Sequence, residues 1–181
     1  MSAKENRRSV MTRMLLKSAL IELMQEKPFK QITIKELCER ADLNRTTFYL
    51  HYTDQLSVLK DIEADVLDKT ESFMNSIKPT EEVELIESFL IYVKENEKIF
   101  RSLLVHGQDS TFRNDFINCT LKQVKLQMVC DSPLEERYTT VFLMQGSIQL
   151  IIEWIESGFD LSPKEAAKLI YTLCTRINVK I

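Results

Sequence analysis

The sequence predicts an all-α protein with about nine helices. Only 3 of its 181 residues are Gly and 4 are Pro, so it lacks the turn residues of a β-sandwich or barrel. Apolar residues instead recur at three- and four-residue spacing through most of the chain. With 44% hydrophobic and 28% charged residues, the composition is that of a soluble globular protein.

The first 41 residues predict two helices separated by a proline. Apolar side chains repeat at helical spacing over residues 8–26, and Pro28 closes that segment. Thr33 and Glu36 then match a capping box, in which each side chain bonds the backbone N–H of the other residue. A shorter second helix is therefore expected to run to about residue 41.

A third helix follows a linker of only three residues, 42–44. Asn44 is a good N-cap for it, and the helix is expected to run from residue 45 to about 52. Phe48 is expected to face inward, while polar and aromatic side chains remain outside: Arg45, Thr46, Thr47, Tyr49 and His51. Two short helices joined by such a tight turn predict a helix-turn-helix motif.

Beyond this motif the sequence predicts a series of further helices. Asp54 is expected to cap the first of them, and apolar spacing places them over residues 54–77, 81–95, 97–105, 110–130, 133–157 and 163–179. Ser132 and Ser162 begin the last two, because each is followed directly by Pro and three residues later by Glu. Gly158 is placed to end the penultimate helix.

The penultimate helix is apolar around more than half of its circumference. Such a helix is either central to its own core or shared with a partner. We expect it to form a four-helix arrangement with the last helix and with the same two helices of a second copy. The expected interface residues are Phe142, Gln145, Gln149, Ile152, Trp154, Leu169, Ile170 and Leu173.

Charge is distributed unevenly along the chain. Residues 1–60 hold 11 Lys and Arg against 7 Asp and Glu, whereas residues 61–181 hold 13 against 20. A basic N-terminal third suits a polyanion, although a solvated helix face is the commoner meaning of such residues. The third helix adds a guanidinium and two hydroxyls at an N-terminus, where free N–H groups favour phosphate. In a major groove, Arg pairs with guanine and Thr bonds a base or touches a thymine methyl.

These residues resemble the tetracycline-repressor-like (TetR) transcriptional regulators. The resemblance runs from about Met14 to Leu59 and is carried by FKQITIKELCERADLNRTTFYLHYTDQLSVL. It implies a helix-turn-helix DNA-binding domain over residues 1–53 and a helical effector-binding and dimerisation domain over residues 54–181. The stretch GSIQLIIEWIESGFDLSPKEAAKLI is similar to a C-terminal class shared with activators of dihydroxyacetone kinase operons.

The resemblance also implies a set of DNA contacts. Residues at the third helix would approach bases or phosphates, namely Asn44, Arg45, Thr46, Thr47 and Tyr49. His51 and Tyr52 would line the DNA backbone, and Thr33 would donate to a phosphate. For Tyr52 an inward-packing role is an equal alternative, because members of the family often have Phe there.

One position departs from the family pattern. Gln55 stands where the family usually has Lys, so a neutral amide replaces one charged contact to phosphate. A basic N-terminal arm containing Arg7, Arg8 and Arg13 is expected to compensate.

The expected function is that of a homodimeric regulator which binds a near-palindromic operator in double-stranded DNA and responds to a small-molecule or protein effector. The residues expected to line an effector pocket are Phe89, Tyr92, Phe100, Leu103, Leu104, Phe112 and Phe116. A filled core is the favoured alternative for these residues, because buried aromatic side chains more often form core than contact a ligand.

Other classes of function lack their signatures. No nucleophile with its base and no phosphate-binding loop is recognisable, so neither an enzyme nor a cofactor is expected. Four separate cysteines (Cys38, Cys119, Cys130 and Cys174) and two histidines (His51 and His106) predict free thiols and no metal site. No apolar stretch is long enough to span a membrane, so we expect a cytoplasmic protein. The remaining alternative is a helical protein-protein adaptor with a degenerate helix-turn-helix.

Overall fold

The computed structural model describes residues 3–76, 82–107, 110–121 and 132–176. Within these ranges the regular secondary structure is helical and there is no strand, so the predicted all-α class is confirmed. The nine α-helices found there are α1 (Ala3–Glu26), α2 (Ile34–Arg40), α3 (Arg45–Tyr49), α4 (Gln55–Ser76), α5 (Glu82–Glu95), α6 (Glu97–Phe100), α7 (Ser110–Leu121), α8 (Pro133–Glu156) and α9 (Pro163–Arg176).

The described ranges also contain two shorter helical segments. A 3-10 turn, Phe29–Gln31, lies between α1 and α2. A π-helical segment, Arg101–Val105, continues α6, where the sequence predicts one uninterrupted helix over residues 97–105. The expected ends of other helices at residues 77, 130 and 179 lie outside the described residues.

The chain divides into two compact units. The first unit runs to Val66 and also includes His106, whereas the second begins at Leu67. The helix α4 therefore contributes residues to both units. The core of the first unit consists of buried side chains from α1 to α4 and the connections between them, chiefly Leu16, Leu20, Met24, Ile32, Leu37, Phe48 and Val58.

In the second unit, α9 lies along α5, and α8 contacts both α7 and α9. Its core is rich in aromatic side chains from α5, α6 and α7, together with aliphatic residues of α8 and α9. Its buried members include Phe89, Leu90, Phe100, Leu104, Phe112, Phe116, Trp154 and Ile155.

The predicted capping residues set the helix boundaries. Thr33 and Glu36 form the full capping box at the start of α2. Ser162 accepts from the backbone N–H of Glu165, and its own N–H donates to the Glu165 carboxylate at 2.9 Å. Asp54 Oδ1 accepts from the Ser57 N–H at 2.7 Å, one turn into α4. Local side-chain chemistry therefore fixes where these helices begin.

The end of α8 also follows the sequence prediction. Gly158 has a φ of 76°, which favours glycine, and its N–H donates to the carbonyl of Ile155. The N–H of Phe159 donates to the carbonyl of Trp154 at 2.9 Å, which completes a Schellman motif. This turn directs the chain back along the unit towards α9.

Candidate nucleic-acid interface

The turn between α2 and α3 is a second Schellman motif. Asp42 has a φ of 53°, its N–H donates to the Glu39 carbonyl, and the N–H of Leu43 donates to the Cys38 carbonyl at 2.9 Å. Glycine usually occupies this left-handed position, and Asp is among the few other residues that tolerate it. The geometry turns the chain sharply, so that α3 begins only a few residues after α2 ends.

The helix α3 is capped at one end and anchored at the other. The Asn44 Oδ1 atom accepts a hydrogen bond from the Thr47 N–H at 2.7 Å. Phe48 is 0% exposed, and its ring packs against those of Tyr49 and Tyr52, with centroid distances of 5.4 and 6.1 Å. Because α3 has only five residues, these contacts are needed for it to form.

Apart from Phe48, the side chains of α3 reach solvent. Arg45 and Thr46 are exposed, Thr47 is half-buried, and Tyr49 is 58% exposed. Arg45 forms no ion pair with any of the described residues, and α3 has no acidic residue in its first turn. A cation, hydroxyl groups and a phenol therefore lie together on a helix whose N-terminus favours anions.

Several other predicted site residues make polar contacts within the first unit. The Thr33 hydroxyl donates to the Glu36 carboxylate at 2.8 Å. The Gln55 amide donates to the backbone carbonyl of Ile32 at 3.3 Å. The His51 Nδ1 atom lies 3.5 Å from the Ser9 hydroxyl of α1. Each of these groups already stabilises the motif, so any contact with a ligand would use its remaining hydrogen-bonding capacity.

The N-terminal arginines differ from one another. Arg7 and Arg8 are exposed on α1 and have no hydrogen-bond partner among the described residues. Arg13 instead donates to Asp61 Oδ2 at 2.6 Å. Only the first two are therefore free to act as a basic arm.

Tyr52 packs inward, which is the alternative left open by the sequence. It is 7% exposed, and its hydroxyl donates to Asp61 Oδ2 at 2.6 Å. Arg13 and Lys17 of α1 bond the same oxygen at 2.6 and 2.9 Å. Burial alone would raise the pKa of Asp61, but the hydrogen bonds from Tyr52, Arg13 and Lys17 outweigh it and lower that pKa to about 2.

Sequence reasoning missed the acidic side of this cluster. Lys17 also bonds Asp65 at 2.7 Å, so two cations four residues apart on α1 face two carboxylates four residues apart on α4. That complementary spacing was the available signal, because residues four apart share a helix face. Which two helices face each other, however, depends on the tertiary fold.

The predicted dimer interface requires a correction. Phe142, at 64%, is well exposed, and Gln145, Gln149, Leu169 and Leu173 are exposed as well. Ile152, Trp154 and Ile170 are instead buried within their own unit, so their placement on a surface is wrong. The Trp154 indole N–H donates to the Leu161 carbonyl at 2.9 Å, and its ring packs edge-on against Phe159.

Three further exposed apolar residues of α8 were missed by the sequence prediction: Leu134, Tyr138 and Val141. They lie on the same helical face as Phe142 and Gln145. The available signal was the four-residue spacing of these side chains.

The expected effector-pocket residues pack against one another. The Phe116 ring lies 5.5 to 5.9 Å from those of Phe89, Phe100 and Phe112. Tyr92 is half-buried and stacks on Phe73 at 4.6 Å. Leu103 and Leu104 are buried in the π-helical segment. These side chains fill the centre of the second unit, as the core alternative expects.

The described cysteines form no disulfide. Cys38, Cys119 and Cys174 are buried, reduced thiols, and Cys130 lies outside the described residues. No group of three or more His, Cys, Asp or Glu side chains in the described ranges is arranged to hold a metal ion. None of the described helices has the length and apolar character needed to cross a membrane.

A capped, solvent-facing helix-turn-helix followed by an all-helical unit defines the class of helical transcriptional regulators. Residues 81–176 match a TetR family model described as a transcriptional regulator C-terminal region, and this match covers more than half of the chain. The chain therefore belongs to the TetR family of transcriptional regulators, which confirms the family predicted from its sequence.

A curated relative, the uncharacterized HTH-type transcriptional regulator YxbF of Bacillus subtilis (strain 168), is 21% identical over 168 residues. The match includes 89% of this chain but 44% of the relative, so the chain spans less than half of that relative's length.

Solved structures share the fold. The TetR transcriptional regulator from Streptococcus agalactiae 2603V aligns with a TM-score of 0.77 at 21% identity, over 96% of this chain and 99% of that one. The dihydroxyacetone kinase operon activator DhaS aligns with a TM-score of 0.60 at 18% identity, over 93% and 97%. A TetR transcriptional regulator from Rhodococcus sp. RHA1 gives 0.58 at 14%, over 97% and 99%.

The Asp61 carboxylate should make the free energy of unfolding depend on pH in the acidic range. Its pKa of about 2 in the folded chain lies below the ordinary 3.8, so its contribution is complete above about pH 4 and is lost as the pH falls through about 2. We expect Asp61→Asn to lower the free energy of unfolding most near neutral pH and progressively less towards about pH 2. Urea unfolding followed by circular dichroism at several pH values measures this; a difference that is constant with pH would contradict it.

Proposed function

We propose that the protein is a homodimeric regulator that binds a near-palindromic operator in double-stranded DNA, and that an effector modulates its affinity. Residues 1–53 would form the DNA-binding domain and residues 54–181 the effector-binding and dimerisation domain. The observation that supports DNA binding most directly is α3: Phe48 is fully buried, while Arg45, Thr46 and Tyr49 are exposed.

The proposed contacts follow from the chemistry of that exposed face. Arg45 is a free guanidinium at a helix N-terminus, which suits guanine O6 and N7 or a phosphate. Thr46, Thr47 and the Tyr49 hydroxyl would bond bases or phosphates nearby. Asn44 keeps its amide N–H₂ as a donor, because the cap uses only its carbonyl oxygen. Tyr52 takes no part in direct contact in this proposal, since it is buried.

Residues that stabilise the motif would reach phosphate only with donors left over from their internal bonds. The second amide hydrogen of Gln55 and the His51 ring are of this kind. The Thr33 hydroxyl already donates its hydrogen bond to the Glu36 carboxylate. Most of the sequence-independent attraction is therefore assigned to Arg45, Arg7 and Arg8, which are exposed and have no partner among the described residues.

Arg45→Ala should weaken operator binding by about 1 to 3 kcal/mol if the guanidinium reads a guanine. Fluorescence anisotropy with a duplex selected from a random pool by the unaltered protein measures this loss. Lys164→Ala, which removes an exposed cation from α9, is the matched control and should bind as tightly as the unaltered protein. Equal affinity of Arg45→Ala and the control would remove Arg45 from the interface.

The double variant Arg7→Ala, Arg8→Ala should weaken binding to all DNA sequences alike. Each lost phosphate contact should make the slope of log affinity against log salt shallower by about 0.9. Titrations at several salt concentrations measure the slope, with Lys164→Ala, Lys168→Ala as the control of equal charge. A slope identical to that of the unaltered protein would exclude the arm.

Dimer formation is supported by the surface of α8 and α9. The exposed residues Leu134, Tyr138, Val141 and Phe142 form an apolar stripe on α8, and Leu169 and Leu173 of α9 are exposed too. An open apolar groove of about 500 Å³ lies between the two helices. Its lining includes Phe142, Gly146, Leu150 and Leu173. A ridge beside a groove is self-complementary about a two-fold axis, which is what an isologous dimer requires.

Gly146 is the position where a close approach between two copies is easiest to test. A Cβ atom there would meet no atom of its own chain within 4 Å. Gly146→Leu should therefore leave the subunit folded. Replacing glycine also improves helix propensity, by up to about 1 kcal/mol. The bulky side chain should nevertheless obstruct the partner and shift the protein towards monomer.

Light scattering at micromolar concentration, with circular dichroism as a check of folding, measures that shift. Glu136→Leu adds the same side chain to an exposed position on another face of α8 and should leave the dimer intact. A Gly146→Leu protein that is as dimeric as the control, or an unaltered protein that is monomeric, would overturn the proposed interface.

One partly enclosed candidate for an effector site among the described residues of the second unit is small. A cavity of about 80 Å³ is lined mainly by apolar residues, including Met74, Phe89, Ile151 and Ile170, together with the hydroxyls of Thr120, Ser147 and Tyr171. That volume suits a few water-sized groups, so a larger small molecule would have to displace side chains. A protein effector would need no cavity.

The adaptor alternative has one supporting observation, the neutral Gln55 bonded to Ile32 where the family usually has a charged contact. Competition between duplex from upstream of the protein's own gene and random duplex of equal length separates the two functions. A regulator of its own gene should prefer the former, and this preference would exclude the adaptor. Failure to select any preferred duplex from a random pool would refute specific DNA binding.

A further inference from the structure

We propose that Tyr52 is a positioning residue for DNA recognition, because its hydroxyl ties the segment carrying α3 to Asp61 and so to both α1 and α4. This inference rests on the proposed DNA-binding function. It assigns to a buried side chain, which touches no DNA, part of the discrimination between one DNA sequence and another.

Side chains from α1 and from the segment after α3 bond the same oxygen atom of Asp61, which lies on α4. Tyr52 lies three residues after the end of α3, and its hydroxyl is 2.6 Å from Asp61 Oδ2 on α4. The same oxygen accepts from Arg13 at 2.6 Å and from Lys17 at 2.9 Å, both on α1. The Arg13 guanidinium carbon also lies 5.9 Å from the centroid of the Tyr52 ring. The α3 segment is thus tied by one short hydrogen bond to a carboxylate that α1 and α4 already hold in place.

Among the described residues, no other short polar contact ties the α3 segment to α1 or α4. The side-chain hydrogen bond of α3 itself, from Asn44 to the Thr47 N–H, is internal to the helix. The His51 ring reaches α1 only through the 3.5 Å contact with Ser9. Phe48 holds α3 by apolar packing, which resists removal of the ring but resists rotation and sliding less well than a directional bond.

The hydroxyl is not needed to neutralise the charge of Asp61. Arg13 and Lys17 both pair with Asp61, so the carboxylate keeps two cationic partners when the Tyr52 hydroxyl is absent. A phenylalanine ring would also fill the same space beside Phe48. What the hydroxyl adds is orientation of the segment that follows α3.

Orientation matters differently for the two components of DNA binding. Base contacts in the major groove need donors held within a fraction of an ångström, whereas attraction to phosphates is sequence-independent and tolerates small shifts. Loss of the hydroxyl should therefore lower the affinity for a preferred sequence while leaving affinity for other DNA and the salt dependence unchanged.

The test compares Tyr52→Phe with Thr175→Val. Thr175 is a half-buried residue of α9 in the second unit, so its substitution also removes one hydroxyl, at nearly constant volume and away from α3. The probes are a duplex selected from a random pool by the unaltered protein and a scrambled duplex of the same length and composition. Affinity for both is measured at several salt concentrations, at a temperature where circular dichroism shows each protein to be fully folded.

The expected result is that Tyr52→Phe binds the selected duplex about 3- to 10-fold more weakly, binds the scrambled duplex unchanged, and keeps its salt slope. Hydrogen exchange of the backbone N–H groups of Thr47 and Phe48 should be faster than in the unaltered protein. Thr175→Val should change none of these quantities.

Failure of the positioning role can be distinguished from failure of the proposed function. If the unaltered protein selects no preferred duplex, the proposed function itself fails. If it does, and Tyr52→Phe keeps the same ratio of selected to scrambled affinity, only the positioning role is overturned. A parallel loss of affinity for both duplexes would also overturn it, because the hydroxyl would then support the fold without orienting α3.

Discussion

The burial of Phe48 is the constraint on which the proposed interface depends. A five-residue helix has too few internal hydrogen bonds to pay for its own nucleation, so α3 needs an anchor and a cap. Phe48 supplies the anchor, and Asn44 supplies the cap. Because the helical repeat is fixed, turning Phe48 into the core turns Thr46, two residues earlier, to the opposite side. Arg45 and Tyr49 flank the buried ring and are both exposed. The buried ring therefore sets how the side chains of α3 are presented to solvent.

The first unit surrounds this small helix with polar contacts that hold its neighbours. Arg40 of α2 bonds Glu26 of α1 at 2.9 Å, and the α1–α4 cluster centres on Asp61. Exposed ion pairs contribute little individually, but Asp61 and Lys17 are largely shielded from water, and Asp61 also accepts from the more exposed Arg13. The helix-turn-helix is consequently held at its turn, along α1, and at the start of α4.

The sequence was most informative where the relevant interactions are local. Thr33, Asn44, Asp54 and Ser162 cap helices in the structure as their spacing predicts, and Gly158 ends α8. These residues act within one helical turn, so neither their partners nor their geometry depends on the rest of the chain. The inward direction of Phe48 was accessible for the same reason, since one apolar residue among polar neighbours defines a face.

The sequence was least informative where two distant elements meet. The α8 helix is apolar on two sides, and nothing in its periodicity says which side its own unit covers; the structure buries Trp154 and Ile152 and exposes Phe142. The hydroxyl of Tyr52 finds Asp61 across a turn, a pairing that no local motif encodes. Such assignments follow from tertiary packing, which is decided by all the helices together.

The placement of the aromatic residues gives the two units different optical properties. The chain's single tryptophan, Trp154, is buried in the second unit beneath Phe159, whereas the first unit contains Tyr49 and Tyr52 but no indole. Intrinsic fluorescence excited at the red edge of the spectrum therefore reports on the C-terminal core alone. Combined with far-ultraviolet dichroism, which sums over all helices, it offers a label-free way to see whether the two units melt together or in sequence.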